Sequence, residues 1–307
     1  MIDDLNLQFG IDKKIAFTLG NGDLPKAILL AEDATAEIYL HGAHVSSFHR
    51  HGWGEMLWMS DESNFRTDRP IRGGVPICWP WFGQPQPELP QHGFARTSQW
   101  EVIETKAHAD PSLEIALRLT DSEATRQLWP HPFELTMRVI VGRDLTMQLS
   151  CLNTGEEPLD AEAALHTYFH VQDIDAVRVA GLDGRSYIDK LDAMQVKPQA
   201  GELTIDREVD RIYLETPDAV TIRDGAERRI EIQKSGSLST VVWNPWIDKS
   251  AAMADFPNDG YRTMVCVETT NAADDVRTIQ PGEVHTITQS CRCEPATGPA
   301  DPAEAIL

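Results

Sequence analysis

The sequence predicts an all-β protein built from packed antiparallel sheets. Short runs that alternate apolar and polar residues, or are rich in Val, Ile, Thr and aromatic residues, recur along most of the chain. Turn signals such as VGRDL and IRDGAE separate neighbouring runs closely enough for hairpins. Because no long segment has the 3.6-residue period of an amphipathic helix, antiparallel sheets are favoured over a doubly wound parallel fold.

These patterns identify the individual elements in chain order. The predicted strands are KAILLAE, AEIYLHG, EMLWMS, QWEVIET, LEIALRLT, FELTMRVIVGRDLTMQLSCLN, AVTIRDGAERRIEIQ, STVVWN, TMVCVETT and VHTITQSCRC. One short helix is predicted in PWIDKSAAMADF. Without a fixed-period repeat or a linker, we predict one domain over residues 1–293. The Pro-, Ala- and acid-rich residues 294–307 are expected to form a flexible tail.

The charge balance limits the kinds of partner. The 307 residues include 27 Lys and Arg against 48 Asp and Glu, a formal net charge of −21. Such a surface repels nucleic acid and anionic membranes, so neither is expected as a partner, and an anionic ligand would need a locally positive pocket. The chain lacks a signal-peptide pattern, which predicts a cytoplasmic protein. Its five cysteines lack paired spacing and are expected to be reduced.

The stretch EAALHTYFHV, residues 162–171, draws attention to His166. If it forms a strand, Leu165 and Phe169 lie on the core face, whereas His166 and Tyr168 lie on the face that could open to a cleft. The local pattern leaves three roles open for His166: a hydrogen-bonded structural residue, a metal ligand or a proton donor. Metal binding is disfavoured because the stretch lacks the glutamate of a zinc-protease motif.

A second stretch, TMVCVETTNA, carries Glu268. As a strand it puts Met264 and Cys266 on the same face as Glu268, so the carboxylate interrupts an apolar row. A carboxylate in such a row must be partnered, open to a cleft or shifted in pKa. A charge on an exposed edge strand is the alternative.

Two loop-like stretches could bind an anion. FRTDRPIRGGVPICWPWFG, residues 65–83, places Arg66, Arg69 and Arg72 before a glycine pair. Arginine can donate two parallel hydrogen bonds to phosphate, and glycines let the backbone approach a ligand closely. Alternatively, these arginines pair with nearby acidic residues, and whether Arg66 and Arg69 touch a ligand stays open. The following stretch QHGFAR adds Gln91, His92 and Arg96.

Taken together, several stretches closely resemble one enzyme family. They are RPIRGGVPICWPWFG, LPQHGFAR, LHTYFHV, VDRIY, VVWNPW and VCVETTNA. In this order, between about residues 65 and 272, they resemble the glucose-6-phosphate 1-epimerases, or hexose-6-phosphate mutarotases, of the aldose 1-epimerase-like superfamily. Each stretch alone is weakly specific, whereas the ordered set is highly specific.

The resemblance implies an antiparallel β-supersandwich of the galactose mutarotase type. It also implies an isomerase that interconverts the α and β anomers of a hexose 6-phosphate, with glucose 6-phosphate as the expected substrate and without a cofactor or metal. We further expect a monomer. By resemblance, the catalytic residues are His166 and Glu268, and the substrate-binding residues are Arg72, Gln91, His92, Arg96 and Asp210.

The chemistry of anomer exchange suits this pair of residue types. Glu268, as a carboxylate, would take the proton of the C1 hydroxyl while His166, as an imidazolium, protonates the ring oxygen. The ring opens to the aldehyde, rotates about C1–C2 and closes again. A mutarotase for neutral sugars would use the same pair, and a non-catalytic carbohydrate-binding protein is a further alternative. A glycoside hydrolase is disfavoured because it would usually need two cooperating carboxylates.

Overall fold

The computed structural model describes residues 1–296, which form mainly antiparallel strands. The strands, in chain order, are β1 (Ile15–Leu19), β2 (Pro25–Leu30), β3 (Ala34–Tyr39), β4 (His44–Arg50), β5 (Gly54–Glu55), β6 (Ile77–Cys78), β7 (Glu101–Ala107), β8 (Leu113–Thr120), β9 (Phe133–Val141), β10 (Leu145–Asn153), β11 (Leu159–Ala161), β12 (Ala163–Leu165), β13 (Tyr168–His170), β14 (Val177–Ala180), β15 (Ser186–Asp189), β16 (Gln195–Pro198), β17 (Leu203–Thr204), β18 (Val209–Tyr213), β19 (Val220–Asp224), β20 (Arg228–Ser235), β21 (Ser239–Asn244), β22 (Met264–Asn271), β23 (Arg277–Ile279) and β24 (Val284–Pro295). The α-helices are α1 (Ile2–Phe9), α2 (Glu123–Leu128) and α3 (Trp246–Ala252). The predicted all-β class is confirmed.

Three large sheets share one apolar core. The first contains β1 to β5 in sequence order, and the second has the order β17-β14-β19-β20-β24-β10-β9-β8-β7. The third has the order β16-β15-β18-β21-β22-β12-β6, with β13 also paired to β22. Side chains from all three, among them Phe48, Met137 and Val267, belong to one cluster of buried residues. Burial of such side chains contributes about 1.5–3 kcal/mol each and holds the sheets together.

The β9–β10 hairpin follows directly from its sequence pattern. Every second residue of both strands is buried, beginning with Phe133 and Leu145 respectively. Val141 pairs with Leu145 across the turn, where the Gly142 amide donates to the Asp144 carbonyl. Alternation with a period of two, followed by a turn signal, therefore predicted this hairpin correctly.

The two faces of β22 pack against different clusters of buried residues. Val265 and Val267 pack into the main core, whereas Met264 and Cys266 belong to a second buried cluster together with Trp58 and other aromatic residues. All eight residues of β22 are buried. Because both faces are covered, residues on the second face meet solvent only where the covering loops allow it.

Several local expectations were wrong. The continuous strand expected through residues 162–171 is interrupted at His166 and Thr167, where the Thr167 amide donates to the Leu165 carbonyl instead of a neighbouring strand. The strand predicted over EMLWMS is not continuous, because beyond β5 only Leu57 and Met59 make strand-like pairs, each as an isolated bridge. Sequence reasoning also missed α1 and α2, because each is too short to show a clear helical period. The helix expected in PWIDKSAAMADF is confirmed as α3.

Two predictions concern the chain as a whole. β24 reaches Pro295, two residues beyond the predicted domain boundary, and residues 297–307 of the predicted tail lie outside the described residues. The domain boundary and the tail therefore stay predictions. Across the described part of the chain, no helix combines the length and apolarity needed to cross a membrane. All five cysteines are described, and each is buried and free of a disulfide.

Candidate active site

His166 and Glu268 face each other across neighbouring strands. Leu165 pairs with Thr269 and Tyr168 pairs with Cys266, and the same register puts His166 opposite Glu268. The imidazole Nδ1 lies 3.5 Å from the carboxyl Oε1. The structure thus brings together the two residues that the sequence nominated from stretches about a hundred positions apart, close enough to act on one sugar ring.

The facing polar atoms of this pair, His166 Nδ1 and both carboxyl oxygens of Glu268, have no hydrogen-bond partner among the described residues. Glu268 is 1% exposed. Among residues 1–296, neither its two carboxyl oxygens nor His166 Nδ1 receives or donates a hydrogen bond. Leaving a buried polar atom unpaired costs about 1–3 kcal/mol, so this arrangement suits a site whose partner is a polar ligand.

Burial shifts the pKa values of both residues of this pair. Burial raises the pKa of Glu268 well above its usual value, and the nearby Asp210 carboxylate raises it further. Burial also lowers the pKa of His166 well below its usual value, helped by the positive charges of Arg96 and Arg72. Both shifts favour the neutral form of each side chain.

Aromatic rings fix the plane of the His166 imidazole. The Tyr168 ring stacks on it with a centroid distance of 4.9 Å and an interplanar angle of 10°. Trp243 and His92 meet it edge-on, at 6.0 Å and 5.8 Å. The imidazole therefore has little freedom to tilt, which keeps its proton-carrying edge in one direction.

His92 is a neutral hydrogen-bond donor toward this site. The Gly83 amide donates to its Nδ1 at 3.1 Å, which assigns the ring proton to Nε2. Burial lowers the pKa of His92 well below its usual value. The next residue, Gly93, has φ +73°, and a Cβ there would come within 1.9 Å of the Trp79 carbonyl oxygen. Only glycine allows the chain to bring His92 to this position.

Arg72 and Arg96 are anchored differently. Arg72 donates from Nε to Asp255 and from Nη1 to the Tyr168 hydroxyl, both at 3.1 Å, and is 23% exposed. Arg96 donates from Nη2 to the Gln91 carbonyl at 2.6 Å. Gln91 thus touches this arginine through its backbone while the residue itself is exposed.

The alternative of local ion pairing holds for Arg66. Its side chain is 65% exposed and Nε lies 2.8 Å from Asp68. Unlike Arg72, it has no contact with Tyr168. Of the arginines before the glycine pair, Arg72 is therefore the one that the structure brings into contact with the ring stacked on His166.

Asp210 lies on the same sheet face as the pair, beside a lysine that sequence reasoning missed. Cross-strand pairing runs from Asp210 through Trp243 and Cys266 to Tyr168. Lys190 Nζ lies 3.1 Å from the Asp210 carboxylate. No motif marks Lys190, because its place depends on the pairing of β15 with β18.

Three cations therefore surround the pair within a strongly acidic protein. The positive charges of Arg72, Arg96 and Lys190 all act to lower the pKa of His166. Two of them, Lys190 and Arg96, also act to lower the pKa of Glu268, against the larger effect of burial. Two of the three are paired with carboxylates, Arg72 with Asp255 and Lys190 with Asp210.

Two sizeable cavities lie elsewhere. One of about 590 Å³ lies beside β3 and β4, and one of about 510 Å³ beside β15 and β21, and neither is lined by His166 or Glu268. In the first, Glu55 is satisfied by Ser47 and the Phe48 amide. The candidate site is marked by buried polar atoms that lack a hydrogen-bond partner among the described residues. Cavity volume is a poorer marker here, because a large cavity can be lined by polar groups that are already paired.

Comparison with known proteins identifies the family of this chain. Residues 26–292 match the aldose 1-epimerase family. A proposed glucose-6-phosphate 1-epimerase of Escherichia coli (strain K12) is 40% identical over 262 residues, covering 84% of this chain and 86% of that protein. One from Salmonella typhimurium is 41% identical over 255 residues, covering 81% and 84%.

Solved structures show the same fold. The crystal structure of a proposed mutarotase from Salmonella typhimurium superposes with a TM-score of 0.86 at 34% identity, covering 94% of this chain and 96% of that one. The galactose 1-epimerase of Lactobacillus acidophilus NCFM gives a TM-score of 0.66 at 14% identity, covering 92% and 99%. At that identity the second likeness concerns the fold alone.

Proposed function

Since the chain belongs to the aldose 1-epimerase family and is an isomerase of that family, we propose that it interconverts the α and β anomers of a hexose 6-phosphate, with glucose 6-phosphate the first candidate. One observation carries the proposal. The unpartnered tips of His166 and Glu268 lie 3.5 Å apart within a group of three cations. The relatives named for glucose-6-phosphate 1-epimerase support the choice of substrate.

The pair supplies both proton transfers that ring opening needs. Glu268 takes the proton from the C1 hydroxyl as His166 gives one to the ring oxygen, which breaks the C1–O5 bond and leaves the aldehyde. After rotation about C1–C2, the C5 hydroxyl attacks the aldehyde from either face and both protons return. The pair begins and ends with the same number of protons, and each correctly placed transfer contributes about 10²–10⁴-fold.

The phosphate group helps to charge the imidazole. In the free protein burial lowers the pKa of His166, and the charges of Arg96 and Arg72 lower it further, so the neutral imidazole is favoured. A phosphate dianion held by these arginines would offset their charge and raise that pKa. Substrate binding thereby moves the proton toward His166, which produces the carboxylate and imidazolium that the reaction uses.

The remaining predicted residues would bind the sugar. Asp210 would accept hydrogen bonds from sugar hydroxyls, with Lys190 holding its carboxylate in place. His92 would donate from Nε2, and Gln91 would hold Arg96 through its carbonyl. The mechanism uses protein side chains alone, and we propose a monomer because one chain supplies every residue of the site. Within the described residues, no three His, Cys, Asp or Glu side chains are grouped to hold a metal ion.

The test compares anomer exchange of glucose 6-phosphate and glucose by NMR exchange spectroscopy. The wild type should turn over the phosphorylated sugar faster, and Arg72→Met should reduce that preference by about 10- to 100-fold, the range for a lost hydrogen bond to a charged group. Arg66→Met is the matched control, because Arg66 pairs with Asp68 on the surface and should leave the preference unchanged. Equal wild-type rates with both sugars would reject the phosphate preference.

A further inference from the structure

Tyr168 touches both functional halves of the site. Its hydroxyl accepts a hydrogen bond from Arg72 Nη1 at 3.1 Å. Its ring stacks on the His166 imidazole at 4.9 Å and 10°. One side chain therefore joins the arginine proposed to hold phosphate to the imidazole proposed to protonate the sugar.

The ring has little room to move independently of these partners. It is 1% exposed, with Trp58 stacked at 6.0 Å and Trp243 edge-on at 5.8 Å. These contacts lie within one buried aromatic cluster. A change in the position of the Tyr168 hydroxyl must therefore be accompanied by movement of the whole ring and of the imidazole stacked on it.

The backbone ties Tyr168 to the segment that carries the arginine. The Tyr168 amide donates to the Gly74 carbonyl at 2.9 Å, two residues after Arg72. The Trp58 amide donates to the Tyr168 carbonyl at 2.9 Å, and the Gly74 amide donates to the Trp58 carbonyl at 2.7 Å. Side-chain and backbone contacts thus connect the same two segments.

From these contacts we infer that Tyr168 is a positioning residue that couples phosphate held at Arg72 to the orientation of the His166 imidazole. The inference rests on the proposed function and adds a specific route. The phosphate is remote from the reacting C1–O5 bond, yet its binding fixes Arg72, which holds the Tyr168 ring and, through it, the proton donor. Part of the binding free energy of the phosphate then raises kcat, in addition to strengthening substrate binding.

The first test removes the hydroxyl and keeps the ring. Tyr168→Phe should lower kcat for glucose 6-phosphate by about 10- to 100-fold, the range for a hydrogen bond to a charged group, and should lower kcat for glucose by a much smaller factor. Tyr213→Phe is the matched control, since Tyr213 is a buried tyrosine of the same sheet whose hydroxyl donates to Gln199 at 2.8 Å. An equal loss with both sugars would mean that the hydroxyl serves packing only and would overturn the inference.

The second test supplies the phosphate charge as a separate molecule. Inorganic phosphite should raise the wild-type rate of glucose anomerisation at saturating glucose, and Tyr168→Phe should show at least tenfold less activation. Any activation left in the variant reflects the charge of the anion alone. Equal activation of both proteins would reject the route through Tyr168. Absence of activation in the wild type would reject it without depending on any variant.

The results separate this inference from the proposed function. If the wild type turns over glucose and glucose 6-phosphate equally, the substrate proposal fails first. If the wild type prefers glucose 6-phosphate and Tyr168→Phe keeps the full preference, the proposed function stands and the coupling alone fails.

Discussion

Asp224 and Glu268 are both buried carboxylates, in β19 and β22, but their surroundings are opposite. Asp224 accepts hydrogen bonds from Arg228 Nε at 2.9 Å and Nη2 at 2.6 Å, and from the Gln172 amide at 2.9 Å. Arg228 also donates to the His170 carbonyl. Within the part of the chain that the structure describes, the Glu268 oxygens have no such partner.

The difference shows that burial of a charge does not by itself indicate function. At Asp224 the chain supplies a complete set of partners, so the pair contributes to structure and removal of one member leaves a buried charge. At Glu268 the chain supplies positive charges nearby but no donor in contact, so the carboxyl group is free to exchange a proton with a ligand. The predictions below test this contrast, beginning with the largest effect.

Glu268→Gln should lower kcat with glucose 6-phosphate by about 10²–10⁴-fold, because an amide cannot take the C1 hydroxyl proton. The folded protein should persist, since no protein partner of Glu268 is lost. NMR exchange spectroscopy gives the rate, and circular dichroism checks the fold. Glu134→Gln, a half-buried glutamate on β9, is the control that should keep wild-type turnover. Undiminished turnover in Glu268→Gln would reject the assigned base.

Asp224→Asn should show the reverse behaviour. It leaves Arg228 buried without its carboxylate, so the free energy of unfolding should fall by about 3–5 kcal/mol. Urea unfolding measures this loss, and the rate per folded molecule should stay near that of the wild type. A variant of unchanged stability that loses activity would contradict the structural role assigned to Asp224.

Glu268 should also affect how stability depends on pH. The pKa of Glu268 is raised in the folded state, so the unfolded chain releases this proton near pH 4.5 while the folded chain retains it. Stability from this group is therefore greatest below pH 4.5 and falls as the pH rises toward the folded pKa, by about 1.4 kcal/mol per pH unit. In Glu268→Gln the stability should not show this fall with rising pH, because glutamine does not titrate. Urea unfolding at pH 5 and pH 8 should show that the free energy of unfolding of the variant, relative to that of the wild type, is higher at pH 8 than at pH 5.

The smallest effect is expected at Lys190. Lys190→Met removes a charge that lowers the pKa of Glu268, so the pH of maximal turnover should move upward, with kcat/KM reduced at most about fivefold at neutral pH. Lys197→Met removes a similar pair with Asp189, formed at 2.7 Å on the neighbouring strand. The control should keep the wild-type pH profile. An unchanged profile in Lys190→Met would show that the lysine does not tune the pair.

The sequence pattern within single stretches predicted the features that depend on neighbouring residues in the chain. Alternating burial gave the β9–β10 hairpin, and the alternation of side chains along a strand gave the opposite faces of β22, because a period of two fixes which side chains share a face. The resemblance nominated His166 and Glu268 individually. Their 3.5 Å separation depends on the register of β12 and β13 with β22, which no single stretch encodes.

Contacts between distant segments account for what was missed. Asp255 holds Arg72 from 183 positions away in the chain, and Lys190 meets Asp210 through the pairing of β15 with β18. The aromatic rings of Tyr168 and Trp243 lie against His166, on the strand face that the sequence allowed to open to a cleft. These features follow from sheet order, so the pattern of any one strand carries no signal for them.

The enclosed cations have a further consequence for how an anion reaches the site. A net charge of −21 repels it during approach, whereas Arg72, Arg96 and Lys190 attract it only within about 8 Å, the screening length at physiological salt. Small phosphates can pass through that outer repulsion and gain the inner attraction. We expect a bulky polyanion to experience the outer repulsion with little of the inner attraction, because the side chains of Arg72 and Lys190 are only 23% and 26% exposed.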